Sequence, residues 1–272
     1  MKIHHLDCGT MCPVARRWVN GTGGVFERGT MVCHCFLIEG PNGLILVDTG
    51  MGTQDAIHGF GRAFDFVGGP TYDPAGTAIA QVEALGFDPK DVRDLVVTHL
   101  DLDHAGGIAD FPHARVHLHS HELAAALEPA SRGERERYLA RQWAHGPDWQ
   151  TYDATDGEPW FGFEAVRDLK GLPPEILLIP LFGHTRGHTG IAVKGDDGWL
   201  LHGGDAWFHQ QDLIDARKTP VGLRLFQRVF AVDNPSRLAN LSRLQTLAAE
   251  HSDTVRLVSA HDPSEFAACR GH

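Results

Sequence analysis

Long hydrophobic runs are missing from this chain. Its apolar stretches are of strand length, such as EILLIPL at 175–181, and none approaches the length of a membrane span. The opening MKIHHLDCGT lacks the apolar core of a secretory leader. Positive charge is also scarce, with 24 Lys+Arg against 35 Asp+Glu and a formal net charge of −11. A phosphate backbone calls for a basic face, so neither nucleic acid nor a membrane is an expected partner. The one dense basic run, RGERERYLAR at 132–141, mixes signs at helical spacing and reads as a solvated helix face. Cysteine is sparse and odd in number, five in all. Cys33 and Cys35 lie two apart in an apparent strand, where parallel side chains make poor disulfide geometry. A reduced, cytoplasmic protein is the expectation. No Ser/Gly/Pro-rich linker or repeat divides the sequence, so 1–272 reads as a single α/β domain, with a homodimer left open.

Histidine is abundant by contrast, at 18 residues. Around the histidines, short β-branched runs alternate with glycine turns and helical stretches. CHCFLIEG and GLILVDTG, 33–50, read as a hairpin closed at Pro41-Asn42-Gly43. Strands are expected at 94–99, 114–120, 175–181, 189–195, 198–204 and 255–261, and helices at 76–87 and 234–251. Asn234 or Ser236 is the candidate cap of the second helix. The stretch 122–170, rich in charge and tryptophan, breaks this rhythm as helix plus loop. HARVHLHSHE, 113–122, puts His117, His119 and His121 on one side of an extended segment and reads as a solvent-facing strand edge.

The residues suited to metal binding gather just past apolar runs. THLDLDHAGG holds His99, Asp101, Asp103 and His104; His184, Asp205 and His261 follow three later strands. Strand ends converge on one edge of a layered α/β protein, where ligands collect. Residues two apart in an extended segment share a face, so His99 and Asp101 can reach one ion. The turn that opens DHAGG swings Asp103 and His104 toward a second.

This order resembles the signature of the metallo-β-lactamase superfamily, and CHCFLIEGPNGLILVDTGMG, GHTRGHTG, HGGDAWF and SAHD match it as well. The phrasing is most similar to the N-acyl-homoserine-lactonase branch. The resemblance implies an αββα sandwich with a dinuclear metal site at one edge. It implies a first metal on His99, His184 and Asp101, a second on Asp103, His104 and His261, and Asp205 bridging. Asp48 would stand behind the ligands and orient them. It further implies a metal-dependent hydrolase that cleaves a small ester-like substrate, a lactone first of all, by a metal-bridging hydroxide, with Asp103 or Asp205 handling the proton. A thioesterase or phosphodiester hydrolase is the alternative within hydrolases. A diiron redox protein or a non-catalytic metal-binding relative is the alternative outside them.

Two positions depart from the family pattern. Asp101 stands where the family carries histidine. A third carboxylate removes the single positive charge left on the usual site with its hydroxide, so bound water would be held less strongly. The oxygen ligand also admits manganese or iron beside zinc. Phe208 stands where such lactonases have a tyrosine that polarises the substrate carbonyl. Tyr72, Tyr138, Tyr152 or His209 is the candidate substitute. Trp143, Trp149 and Trp160, with Phe208, are read as candidate walls of a substrate pocket, the tryptophans equally as anchors of the 122–170 segment.

Overall fold

Two mixed sheets face each other, with helices on both outer faces. The computed structural model describes residues 1–153, 157, 159–163 and 167–270. The first sheet runs in the order β1 (Lys2–Asp7), β2 (His34–Gly40), β3 (Gly43–Val47), β4 (Val92–Val96), β5 (Arg115–His119) and β6 (Asp148–Tyr152). The second contains β7 (Arg167–Asp168), β8 (Ile176–Pro180), β9 (Thr189–Gly195), β10 (Gly198–His202) and β11 (Val255–Val258), in the order β11-β10-β9-β8-β7. The hairpin read from the sequence is β2–β3; Gly40 pairs with Gly43, so its turn is Pro41-Asn42, with Gly43 already in the strand.

Side-chain alternation divides the core into layers. Phe36, Ile38, Ile45, Val47 and Val96 meet Ile176, Leu178, Ile191 and Val193 between the sheets. Leu37, Leu46, Leu95 and Leu118 point the other way and bury Ala78, Val82 and Ala125 of the covering helices. On the far side Leu177, Ile179, Ala192 and Leu201 pack on Leu241, Leu244 and Leu247 of the helix Asn234–Glu250. Strands covered on both faces carry continuous apolar runs, which is why β2, β3 and β8 lack a polar alternation. The result is the αββα sandwich.

Several expectations need adjustment. The cap of the long helix is Asp233, which accepts from Ser236 N, because Pro235 sits in the first turn and places the cap ahead of it. The segment 122–170 contains β6, an outer strand of the first sheet that pairs parallel to β5, as well as helix and loop. β5 therefore has neighbours on both sides and is no edge. His117 and His119 are buried on it: His117 binds Asp94 at 2.8 Å through Nε2 and the Tyr152 hydroxyl at 2.7 Å through Nδ1.

Strand direction sets the site. β8, β10 and β11 run the same way, and so do β3, β4 and β5. Their C-terminal ends release Asp48, His99, His184, Asp205 and His261 at one edge of the sandwich. The two sheets are joined there by Thr189, whose N and Oγ1 both donate to Thr98 O, at 2.9 and 3.1 Å.

Candidate metal centre

The segment 98–107 folds into a tight loop because its backbone closes on itself and on the β3 exit. Asp101 O accepts from both His104 N and Ala105 N at 3.0 Å, and His104 O accepts from Thr49 N and Thr49 Oγ1. Gly106 passes so close to Gly50 and Gly52 that a Cβ there would lie 2.6 Å from Gly50 O. Asp48, at the head of this packing, is held at φ 52, a left-handed conformation costly for a non-glycine residue.

All seven residues read as ligands converge: two sets share Asp205, and Asp103 joins the second through His261. In the first, His184 Nε2 lies 3.0 Å from Asp101 Oδ2 and 3.2 Å from Asp205 Oδ2, and His99 Nε2 lies 3.6 and 3.8 Å from the same two oxygens. In the second, Asp205 Oδ1 is 3.2 Å from His104 Nε2 and 3.1 Å from His261 Nε2, and Asp103 Oδ2 is 3.5 Å from His261 Nε2. One carboxylate thus turns one oxygen to each set.

The donor set fits cations. Four atoms around a zinc ion at about 2.0–2.2 Å lie roughly 3.4 Å from one another in a tetrahedron, close to the 3.0–3.8 Å found here. Among the described residues, buried His99 Nε2 and Asp205 Oδ1 have no hydrogen-bond partner. Two imidazole nitrogens, His104 Nε2 and His261 Nε2, face each other at 3.3 Å. Orphaned lone pairs in a buried pocket are costly unless a cation satisfies them.

Bonds behind the cluster fix the rings. Asp48 Oδ2 accepts from His104 Nδ1 and from Thr98 Oγ1, and Asp48 Oδ1 accepts from Thr98 N. Thr98 Oγ1 in turn accepts from His99 Nδ1 at 2.9 Å, which leaves both Nε2 atoms facing the cluster. His261 Nδ1 donates to Val32 O at 2.7 Å. His188 stays behind the site, between Leu181 O and Asp205 N. Charge follows the same geometry. Burial works against ionisation of Asp48, yet His104 draws its carboxyl down to about 2. Burial also opposes the charged form of His104, but Asp205, Asp103 and Asp48 lift it well above the ordinary histidine range. For Asp101, burial is outweighed by the Arg137 guanidinium and His99, and its carboxyl lies well below the usual range.

Not every expectation about the surroundings holds. Trp143 is buried in the cluster beneath the first sheet, with Trp149 packed against it. Trp160 packs with Phe163 and Trp199 over the second sheet. These tryptophans anchor their segment to the two outer faces and do not line the histidine cluster. Phe208 does lie beside it, stacked on His261 with ring centres 5.0 Å apart. No tyrosine replaces its missing hydroxyl. Tyr72 is bonded to Asp65, Tyr138 to Glu122 and Tyr152 to His117. His209 Nδ1 accepts from Gln211 N and caps its own turn.

Three residues that carried no signal in the sequence belong to the site. Arg137 comes within 3.4 Å of Asp101, from the run read as solvated. Glu122, fully buried, accepts from Leu100 N, Tyr138, Thr185 and Gly187 N, tying the loop of His99 to the loop of His184. Gly187 can approach only because it has no Cβ, which would lie 2.1 Å from Glu122 N. Cys33, one of five free cysteines, stands beside Asp103 and His261.

Comparison with known proteins agrees with this geometry. The family model described as the metallo-β-lactamase superfamily matches residues 28–250. A probable metallo-hydrolase of Mycobacterium tuberculosis is 38% identical over 271 residues, 99% of this chain and 83% of its own length. An N-acyl homoserine lactonase, AttM, of Azorhizobium caulinodans is 33% identical, covering 98% of this chain and 95% of that protein. Among solved structures, a Bacillus thuringiensis AiiA mutant with N-decanoyl-L-homoserine at its active site superposes with a TM-score of 0.73 at 21% identity, covering 99% of this chain and 96% of that one. A dizinc quorum-quenching lactonase, AidC, superposes with a TM-score of 0.63 at 17% identity, covering 96% and 87%. With its sandwich, its strand-end cluster and these matches, the chain belongs to the metallo-β-lactamase superfamily.

Proposed function

We propose that this protein is a metal-dependent hydrolase that opens a lactone of the N-acyl-homoserine type, with two divalent cations, zinc foremost, held by the seven residues of the cluster. The observation that carries the reading is the division of Asp205, one oxygen facing His99 and His184, the other facing His104 and His261. Two such cations supply a hydroxide at neutral pH and withdraw charge from a carbonyl oxygen.

The chain's own residues supply the rest. Asp103 makes no hydrogen bond to another side chain among the described residues, and it is more exposed than Asp205, whose two oxygens each face two histidines. It is the group placed to hold the proton released when water attacks the acyl carbon and to return it to the departing alcohol oxygen. Phe208, Phe226 and Leu223 form an apolar wall with Met11, Met31 and Met51 on the same side. That wall suits an apolar acyl group and keeps bulk water from the histidines. Asp101 brings an oxygen where a nitrogen is usual in the family, which leaves manganese or iron acceptable in the first set.

Metal content per chain, measured by mass spectrometry on protein purified without added metal, tests the reading together with a panel of lactones and thioesters. Two ions per chain and cleavage of lactones without an electron donor are expected. One ion or none would overturn the dinuclear reading. Cleavage of thioesters alone would transfer the site to a thioesterase, and turnover that requires an electron donor would remove it from the hydrolases.

A further inference from the structure

We propose that Arg137 is the positioning residue for Asp101, and that the arginine–aspartate pair together does the work of the histidine usual at position 101. The inference rests on the metal-site reading above.

The guanidinium is held from three directions. Nη1 donates to His184 O at 3.0 Å, Nη2 donates to Phe230 O at 2.6 Å, and Nε faces Asp101 Oδ1 at 3.4 Å. Its side chain is 11% exposed, so water does little to screen the charge. Asp101 is divided in the complementary way. Its Oδ2 points to His184 and His99, while its Oδ1 is buried without a hydrogen bond among the described residues and faces the guanidinium. Remove the arginine and a buried carboxylate oxygen is left with nothing to face, free to turn away from the cluster.

The helix Arg132–Arg137 delivers this residue with care. Ser131 and Glu134 form a capping box, and Glu134 clamps Arg186 through two bonds of 2.7 and 3.0 Å. Arg186 lies in the same loop as His184. Glu134 and Arg137, three apart, thus form the inner face of a short helix docked on the histidine loop, while Arg132 and Glu136 pair with each other in solvent. A planar fork is needed to engage two carbonyls and still offer an edge to a carboxylate, which suits arginine and not lysine.

Charge gives the pair its meaning. Replacing histidine by aspartate adds one negative charge beside the cations, and a fixed guanidinium adds one positive charge next to it. The electrostatic environment of the cluster returns to that of an all-histidine first set. The lowered hold on bound water that Asp101 implies by itself is thereby offset.

A purely structural arginine, tethering the His184 loop to Phe230, would have the same contacts with carbonyls. A cycle of R137M, D101H and the double variant separates the two roles. The readouts are zinc affinity, by competition with a chromophoric chelator, and the visible spectrum of the cobalt-loaded protein, with thermal unfolding of the metal-free chain as the control for folding. R137M is expected to weaken zinc binding about 10- to 100-fold, the loss of a fixed Asp101 outweighing the repulsion that the guanidinium exerts on the cation, and to shift the cobalt spectrum. In the D101H background the same change is expected to cost no more than about threefold, since the group it serves is gone. An equal loss in both backgrounds would overturn the proposal and leave Arg137 a tether. R137K with D101H/R137K carries the same comparison should the methionine variant not fold. An unmutated protein that binds no zinc, manganese or iron would instead overturn the metal-site reading itself, before any variant is compared.

Discussion

The two halves of the cluster are held in different ways. Around His104 and His261 every orienting bond is made: Asp48 takes one Nδ1 and the carbonyl of Val32 takes the other. Around Asp101 and His184 they are not, since Asp101 Oδ1 and His184 Nδ1 are buried without hydrogen bonds among the described residues. There the supports are a guanidinium and the carboxylate of Glu122, brought from the segment 122–137. One half is fixed by directional bonds within the sandwich; in the other only His99 is held that way, through Thr98, while Asp101 faces a guanidinium and the His184 loop is tied by Glu122. Charge acts over a longer range and tolerates looser geometry, so the second arrangement accommodates an altered ligand where the first could not.

This contrast can be broken or sharpened at several points. The largest effect is expected from D205N, because Asp205 serves both halves. Turnover should fall below detection and metal content below two ions per chain, with the circular dichroism spectrum unchanged; a fully active D205N would end the bridging role. Next, E122A removes the acceptor of four donors that join the His99 and His184 loops. A loss of about 4 kcal/mol in urea unfolding is expected from buried donors left without partners, together with weaker metal binding in the first set. A loss under about 1 kcal/mol would show that water replaces the carboxylate and that this half is not tied by it.

Glu265 acts on the other half. It accepts from Ser259 N and Trp207 Nε1, close to the segment that carries His261. Burial first, and Asp262 second, push its carboxyl up to about 8 from an ordinary 4.5. The folded chain therefore keeps a proton that the unfolded chain has released, so stability falls as pH climbs through that interval and levels off above it. The fall amounts to roughly 3 kcal/mol between about pH 5 and about pH 8. E265Q is neutral throughout, and its urea midpoint should lose that slope; an unchanged slope would show that another group carries it. The smallest effect is expected from F208Y, which adds a hydroxyl beside His261. An increase of up to about tenfold in kcat on lactones, with KM nearly unchanged, is expected if a donor to the carbonyl is the missing element. No change would show that the phenyl wall alone suffices.

Much of the site was legible before any coordinates, for a local reason. His99, Asp101, Asp103 and His104 sit within one loop, and His184, Asp205 and His261 each follow an apolar run. Strand length and direction then bring them to one edge without help from side-chain packing. The hairpin at 33–50 and the helix at 234–251 were readable likewise, from turn chemistry and from the spacing of Leu241, Leu244 and Leu247.

What the sequence by itself determined is therefore the succession of strands and helices and the placing of seven metal-binding side chains just past apolar runs, because each depends on short-range periodicity; the sandwich was legible only through the family resemblance. What only the tertiary structure decided is which neighbours those residues meet. The run at 132–141 has the composition of a solvated helix, and nothing local tells that its Glu134–Arg137 face turns inward onto the loop of His184. His117 looks exposed until β6 pairs beside it, and Trp143 and Trp160 could have walled the site until two different cores claimed them. Those outcomes turn on how a helix or strand is docked against residues far along the chain, a free energy summed over contacts that no window of sequence contains.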